Sequence, residues 1–152
     1  MLKARRISTW RNRFEVSVQD RVVTTWDSGF WRNTAEFDLD GRRYQMRGNA
    51  WGTRYAMVDA AGGTVASAER VGRKRWTVEA DGQTYHFQRA SLFSSEQELH
   101  TAGHRVGSVK RTSFWRGDVL AELPGLSLPV QIFTLGVVIM MWNQEAAAAA
   151  AS

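Results

Sequence analysis

The feature that most constrains the fold is an apolar run at residues 126–142, which reads LSLPVQIFTLGVVIMMW. Apolar residues follow one another without a break from Val137 to Trp142. At about 3.6 residues per turn they cover the whole circumference of a helix, so no face is left for water. Ser127 is in the N-cap position, and Pro129 lies in the first turn, where a missing N–H costs nothing. The sequence therefore predicts one helix, over residues 128–143, that is surrounded by apolar groups.

The surroundings of this helix are either lipid or protein. A membrane span needs about 20 apolar residues, whereas about 16 residues at about 1.5 Å each reach only about 24 Å. Gln131 and Thr134 interrupt the run, and Gly136 weakens the helix by about 1 kcal/mol relative to alanine. We therefore expect a buried core helix, and a tail-anchored membrane protein is the alternative.

The chain before residue 126 has the pattern of short β-strands. Phe14, Val16 and Val18 alternate with polar residues, and similar segments follow without a sustained helical period. Asp-Gly pairs such as Asp40-Gly41 and Asp81-Gly82 mark tight hairpin turns, because both positions tolerate a positive φ. We expect a mainly β fold, a closed antiparallel barrel of about 11–12 strands that encloses the one helix. Trp26, Trp31, Trp51, Trp76 and Trp115 fall in or beside predicted strands, where large rings can line the wall that faces the helix. The alternation around them does not assign each ring, so an outward direction stays open for some.

The length of 152 residues suits a single domain with its own core. We expect a solvated basic arm over residues 1–13, one barrel domain over residues 14–143, and a disordered or frayed alanine-rich tail over residues 144–152. The chain has no cysteine, which excludes disulfides and a thiolate nucleophile. No apolar segment follows the basic start MLKARR, so a cytoplasmic location is expected, with the inner membrane surface as a peripheral option.

Residues 37–87 repeat a pattern of strand, Asp-Gly turn and strand, reading FDLDGRRYQMRGNAWGTRYAMVDAAGGTVASAERVGRKRWTVEADGQTYHF. Together with the terminal helix SLPVQIFTLGVVIMMW, this pattern resembles the tubby C-terminal-like fold, in the branch that contains the LURP-one-related proteins and the phospholipid scramblases. The resemblance covers about residues 14–142. It implies a closed barrel threaded by the C-terminal helix, and phosphoinositide or phospholipid binding as found in some members.

Two sets of residues were considered as metal ligands. Glu96, His100 and His104 have the four-residue spacing of ligands on one helix face, but Thr101-Ala102-Gly103 is a turn that breaks such a face. The segment that begins at Asp38 has the start of a calcium loop, yet arginines occupy positions that need oxygen ligands. We therefore predict no metal site and no cofactor.

No motif for catalysis is evident. Serine and histidine are present without the spacing of a nucleophile elbow, and the glycine-rich pieces match neither a phosphate-binding loop nor a dinucleotide fingerprint. We therefore expect a protein that is not an enzyme.

Basic clusters with few acidic neighbours are the remaining functional signal. The formal net charge is +5, which favours anionic partners. Hairpin neighbours can bring guanidinium groups onto one surface, where they bind phosphate in bidentate fashion. By charge alone, the candidate anion-binding residues are Arg42, Arg43, Arg47, Arg54, Arg73, Lys74 and Arg75. Three sequence clusters are involved: the first consists of Arg42, Arg43, Arg47 and Arg54, the second of Arg70, Arg73, Lys74 and Arg75, and the third of Lys110, Arg111 and Arg116.

The function expected from these observations is a non-enzymatic binding module for anionic phospholipid at a membrane surface. The alternative is an adaptor that binds nucleic acid or protein. The sequence does not distinguish lipid from nucleic acid, because cationic side chains bind the phosphates of both.

Overall fold

The computed structural model describes residues 1–8, 12–29, 33–112 and 117–152. Within these residues the chain forms twelve strands followed by one helix. The strands are β1 (Leu2–Ser8), β2 (Arg13–Val18), β3 (Arg21–Ser28), β4 (Thr34–Leu39), β5 (Arg42–Gly48), β6 (Tyr55–Asp59), β7 (Thr64–Glu69), β8 (Arg75–Ala80), β9 (Gln83–Arg89), β10 (Gln97–Thr101), β11 (His104–Arg111) and β12 (Val119–Glu122). The helix is α1 (Leu128–Ala151).

The described strands form a closed antiparallel barrel in which each strand pairs with its neighbours in chain order. Closure comes from β1, since Lys3 is in register with Ser17 of β2 and with Leu120 of β12. A closed sheet has no free edge, which removes the site at which strands of other molecules would add. The predicted fold class, a closed antiparallel barrel of about 11–12 strands with one apolar C-terminal helix, is confirmed.

The structure differs from the solvated basic arm predicted over residues 1–13. Leu2–Ser8 is strand β1, in which Leu2 and Ala4 are completely buried whereas Lys3 and Arg5 are exposed. Alternation of this kind is the period of a half-buried strand, but the single small apolar residue Ala4 made it a weak signal. Trp10 and Arg11 of the predicted arm lie outside the described residues.

The helix is longer than predicted. It continues past Asn143 to Ala151, so most of the segment predicted as a disordered or frayed tail is helical. Alanine has the highest helix propensity of all residues, which explains the extension. Ala146–Ala151 are exposed, so this last part of α1 projects beyond the barrel.

The barrel interior is filled by α1. All residues from Ile132 to Trp142 are buried, on every side of the helix. A Cβ at Gly136 would overlap the indole of Trp26, so the glycine lets the helix pass close to the wall. By length and composition α1 is apolar enough to cross a membrane, but most of its apolar part is enclosed by the strands. The expectation of a core helix wrapped by strands therefore agrees with the fold.

The tryptophans divide between the core and the surface. Trp26 and Trp76 are buried and face the interior, as predicted. The Trp26 indole N–H contacts the Met46 sulfur at 3.1 Å, and the Trp76 indole N–H donates to Gln97 Oε1 at 2.9 Å. Trp51 is one of the rings that face outward, since it is 80% exposed. Trp31 and Trp115 lie outside the described residues.

The two rims of the barrel have different connections. We call one the turn rim, where pairs such as Asp40-Gly41 and Asp81-Gly82 link adjacent strands with positive φ at both positions. Such turns match the twist of the flanking strands. We call the other the loop rim, and it includes the longer connections at residues 49–54, 70–74 and 90–96. Helix α1 begins at the turn rim and ends at the loop rim, where Trp142 and Gln144 donate hydrogen bonds to these connections.

Candidate anion-binding site

The connection between β7 and β8 presents basic side chains to solvent because its single apolar residue points inward. Val71 is buried, and its N–H donates to the Thr53 carbonyl oxygen at 3.0 Å. The Arg73 N–H donates to the Arg70 carbonyl oxygen at 3.1 Å, which closes a turn. Gly72 has a φ of +89°, a conformation that suits glycine. The anchored valine and the turn together leave Arg70, Arg73 and Lys74 exposed.

These side chains line a surface hollow of about 640 Å³, which we call the basic hollow. Its described lining consists of Thr53, Arg54, Glu69, Arg70, Arg73, Lys74 and Arg75. The hydrogen bond from Val71 to Thr53 places the β5–β6 connection beside the β7–β8 connection, which explains why Arg54 joins residues distant in sequence. Four of the seven candidate residues predicted by charge are therefore brought together, with Arg70 added.

Positive charge dominates the basic hollow. Of its described lining residues, five are cationic and one, Glu69, is acidic. Glu69 Oε2 lies 3.1 Å from Arg54 Nε, so the carboxylate is already engaged by one guanidinium. Arg70, Arg73, Lys74 and Arg75 form no ion pair with any described residue. The hollow is thus left with an uncompensated group of cations.

Arg47 lies next to the basic hollow. It pairs in register with Ala56 on β6, so Arg54 is its diagonal neighbour on the outer face of the barrel. Diagonal neighbours are about 7–8 Å apart, within reach of long side chains. Arg47 therefore extends the positive surface by one strand.

Arg42 and Arg43 lie elsewhere, next to the Asp40-Gly41 turn at the turn rim. The Arg43 guanidinium is compensated, since it lies 3.2 Å from Asp38 Oδ1 and 3.6 Å from Glu36 Oε2. The hydrogen bond to Asp38 raises the pKa of Arg43 above its ordinary value. The first sequence cluster is therefore divided between the two rims, because Arg42 and Arg43 begin β5 whereas Arg47 is near its other end and Arg54 lies in the connection that follows.

The third sequence cluster does not join the basic hollow either. Lys110 and Arg111 are on β11, three strands away from β8 in the barrel. Arg111 stacks over the Trp142 ring at 4.6 Å from the ring centre, so it has a structural contact of its own. Arg116 lies outside the described residues.

Glu96 and His100, two of the three residues with metal-ligand spacing, contact other side chains. Glu96 Oε1 accepts from Arg105 at 2.9 Å, and His100 contacts Glu98 Oε1 at 3.1 Å. His104 is exposed beside the Ala102-Gly103 turn. Within the described ranges there is no group of three or more His, Asp or Glu residues that could hold a metal ion.

Sequence reasoning missed an apolar feature of the loop rim. Trp51, Leu92 and Phe93 have exposed fractions of 80, 85 and 100%, the largest of any bulky apolar side chains in the described chain. We call these three residues the apolar tips. They occupy the connections at residues 49–54 and 90–96, which lie on either side of the 70–74 connection around the barrel. The only sequence signal for Leu92 and Phe93 was their position in a stretch without strand alternation.

Comparisons with protein-family models, with curated proteins and with solved structures found no match to this chain.

Proposed function

We propose that this protein is a non-enzymatic binding module that recognises the phosphate groups of anionic phospholipids at a membrane surface. The observation that supports it most directly is the basic hollow, where Arg70, Arg73, Lys74 and Arg75 have no acidic partner among the described residues. This proposal agrees with the function implied by the resemblance of the sequence to tubby-like proteins.

The chemistry of the hollow suits a phosphate ligand. Guanidinium groups donate paired hydrogen bonds that match phosphate oxygens, and Lys74 adds a mobile point charge. A volume of about 640 Å³ falls within the range of small-ligand sites. Cations crowded without counter-charges repel one another, so an anion bound among them relieves an unfavourable arrangement.

The test is sedimentation with phosphatidylcholine vesicles that either contain or lack phosphatidylserine. We expect the protein to bind only the anionic vesicles, more weakly as salt is raised. The triple variant Arg73→Ser, Lys74→Ser and Arg75→Ser should bind about a hundredfold more weakly, since each basic residue near such a surface contributes about 1 kcal/mol. Its thermal midpoint should change little, because these side chains are exposed.

A charge-matched control is available at the turn rim. Arg21, Arg42 and Arg43 are also exposed, and replacing all three by serine removes the same net charge. This control should retain most of the vesicle binding. If both triple variants lost the same amount of vesicle binding, the attraction would depend on net charge alone, which would contradict a defined site. Tight binding to a nucleic-acid duplex at matched salt, without vesicle binding, would favour the adaptor alternative.

A further inference from the structure

We propose that the apolar tips Trp51, Leu92 and Phe93 insert into the interfacial region of an anionic bilayer, so that the protein docks with its loop rim toward the membrane. This inference rests on the proposed function, since it takes the bilayer as the partner. It adds a second, apolar element to the binding and fixes the orientation of the barrel.

The first argument is the placement of the tips around the basic hollow. Following the barrel in order, the connection with Trp51 comes first, then the basic connection at residues 70–74, then the one with Leu92 and Phe93. Hydrogen bonds tie these neighbours together, from the Val71 N–H to Thr53 and from the Arg89 N–H to Lys74, each at 3.0 Å. Cations therefore lie between exposed apolar groups on the same rim.

The second argument is that the tips are held outward by the core helix. Gln144 Nε2 donates to the Trp51 carbonyl oxygen at 2.8 Å, and the Trp142 indole N–H donates to the Ser95 carbonyl oxygen at 2.8 Å. A Cβ at Gly52 would overlap the Gln144 side-chain amide, so the chain beside Trp51 lies directly against that side chain. The helix thus anchors one connection at Trp51 and the other at Ser95, two residues after Phe93.

The third argument is the chemistry of the partner. Exposed apolar side chains with nothing to cover them are a cost in water, and tryptophan prefers the interface of a bilayer. Cations beside such groups match the anionic headgroups above that interface. A protein partner would bury the same apolar groups, but it would also have to neutralise the cations of the basic hollow. The anionic bilayer supplies both the apolar layer and the negative charge.

The experiment compares two sets of variants on phosphatidylcholine vesicles that contain phosphatidylserine. Replacing Trp51, Leu92 and Phe93 by serine should lower the vesicle partition coefficient by about tenfold or more, given the apolar area withdrawn from water. The control replaces Val22 and Val106 by serine in the same way. Both are exposed apolar residues near the turn rim, so this variant should bind the vesicles like the unmodified protein. Both sets should keep their thermal midpoints.

A soluble probe separates this inference from the proposed function. Inositol hexakisphosphate presents phosphates without a bilayer, so the apolar-tip variant should bind it as well as the unmodified protein does. The triple variant of Arg73, Lys74 and Arg75 should lose that binding.

Full vesicle binding by the apolar-tip variant would show that the tips do not insert. The proposed phosphate site would then be tested only by the variants that remove charge. If the apolar-tip variant loses vesicle binding and the triple charge variant keeps it, insertion is supported and the phosphate site in the basic hollow is contradicted. If the unmodified protein binds no anionic vesicles, both are overturned.

Discussion

The turn rim and the loop rim belong to one barrel and are closed by the same strands, yet they differ in the length of their connections and in the side chains that these connections present. At the turn rim, Asp-Gly pairs make the shortest connections, and the cation Arg43 is compensated by Glu36 and Asp38. At the loop rim, the connections are longer, the cations of the basic hollow lack acidic partners within the described chain, and the apolar tips are exposed.

The difference teaches that longer connections can gather like charges and bulky apolar side chains on one rim, as they do around the basic hollow, whereas short turns leave little chain to carry such groups. Short turns are fixed by local backbone preferences, so they need little from the rest of the chain. The loop rim is held by the C-terminal part of the helix instead, through Trp142, Gln144 and the 2.8 Å ion pair between Glu145 and Arg89. The core helix therefore both fills the barrel and holds the connections that carry the proposed binding surface.

The largest expected effect concerns the helix on which both rims depend. Val138→Asp would place a carboxylate without a partner in the barrel interior, where the valine is completely buried. The cost is several kcal/mol against a total stability of about 5–15 kcal/mol, so the domain should largely unfold. The measurement is soluble yield and thermal midpoint. Aspartate scanned from Ile132 to Met141 should be damaging at every position.

The control for this prediction lies on the same helix. Ala146→Asp changes an exposed residue and should alter stability by no more than about 0.5 kcal/mol. A rhythm of tolerated and damaging positions every three to four residues along Ile132–Met141 would mean an amphipathic helix on the outside of a sheet. In that case the helix would not run through the barrel from the turn rim to the loop rim, and the comparison of the two rims would lose its basis.

An intermediate effect is expected from matched glycine substitutions at the two rims. Gly52 and Gly82 have similar φ values of +68° and +72°, so alanine is strained at both positions by about 1–2 kcal/mol. At Gly82 nothing lies within 4 Å of an added Cβ, whereas at Gly52 the Cβ would overlap Gln144. Gly52→Ala should therefore lower the thermal midpoint more, and it should also weaken vesicle binding by displacing Trp51.

Gly82→Ala should leave vesicle binding unchanged, because its effect is confined to the turn rim. Thermal unfolding and vesicle sedimentation of both variants provide the comparison. Weaker binding by Gly82→Ala, to the same degree as Gly52→Ala, would show that the two rims are not functionally distinct.

The fold was predictable because its main signals are local. The apolar run around the whole helix and the Asp-Gly turns each depend on a few adjacent residues, and both are present in the structure. The first strand was not predicted, since its inward residues Leu2 and Ala4 are too few and small to outweigh the basic residues between them. In the structure this strand pairs with β2 and also with β12, at the other end of the strand series.

The candidate site was predictable only in its composition. Charge counting found Arg54 and the cations at residues 73–75, but their proximity depends on the contact between Val71 and Thr53 across two connections. The same limit applies to Trp51. Its backbone carbonyl accepts a hydrogen bond from Gln144, 93 positions further along the chain. Contacts over such separations leave no periodic pattern in the sequence.

The claim that the loop rim meets an anionic bilayer is tested most directly by a fluorescent label at each rim. The natural chain has no cysteine, so Ser91→Cys at the loop rim and Ala61→Cys at the opposite rim each provide one exposed attachment point. An environment-sensitive fluorophore at residue 91 should shift to the blue when phosphatidylserine-containing vesicles are added, whereas the same fluorophore at residue 61 should not change. A blue shift at residue 61 alone, or equal shifts at both positions, would contradict docking through the loop rim.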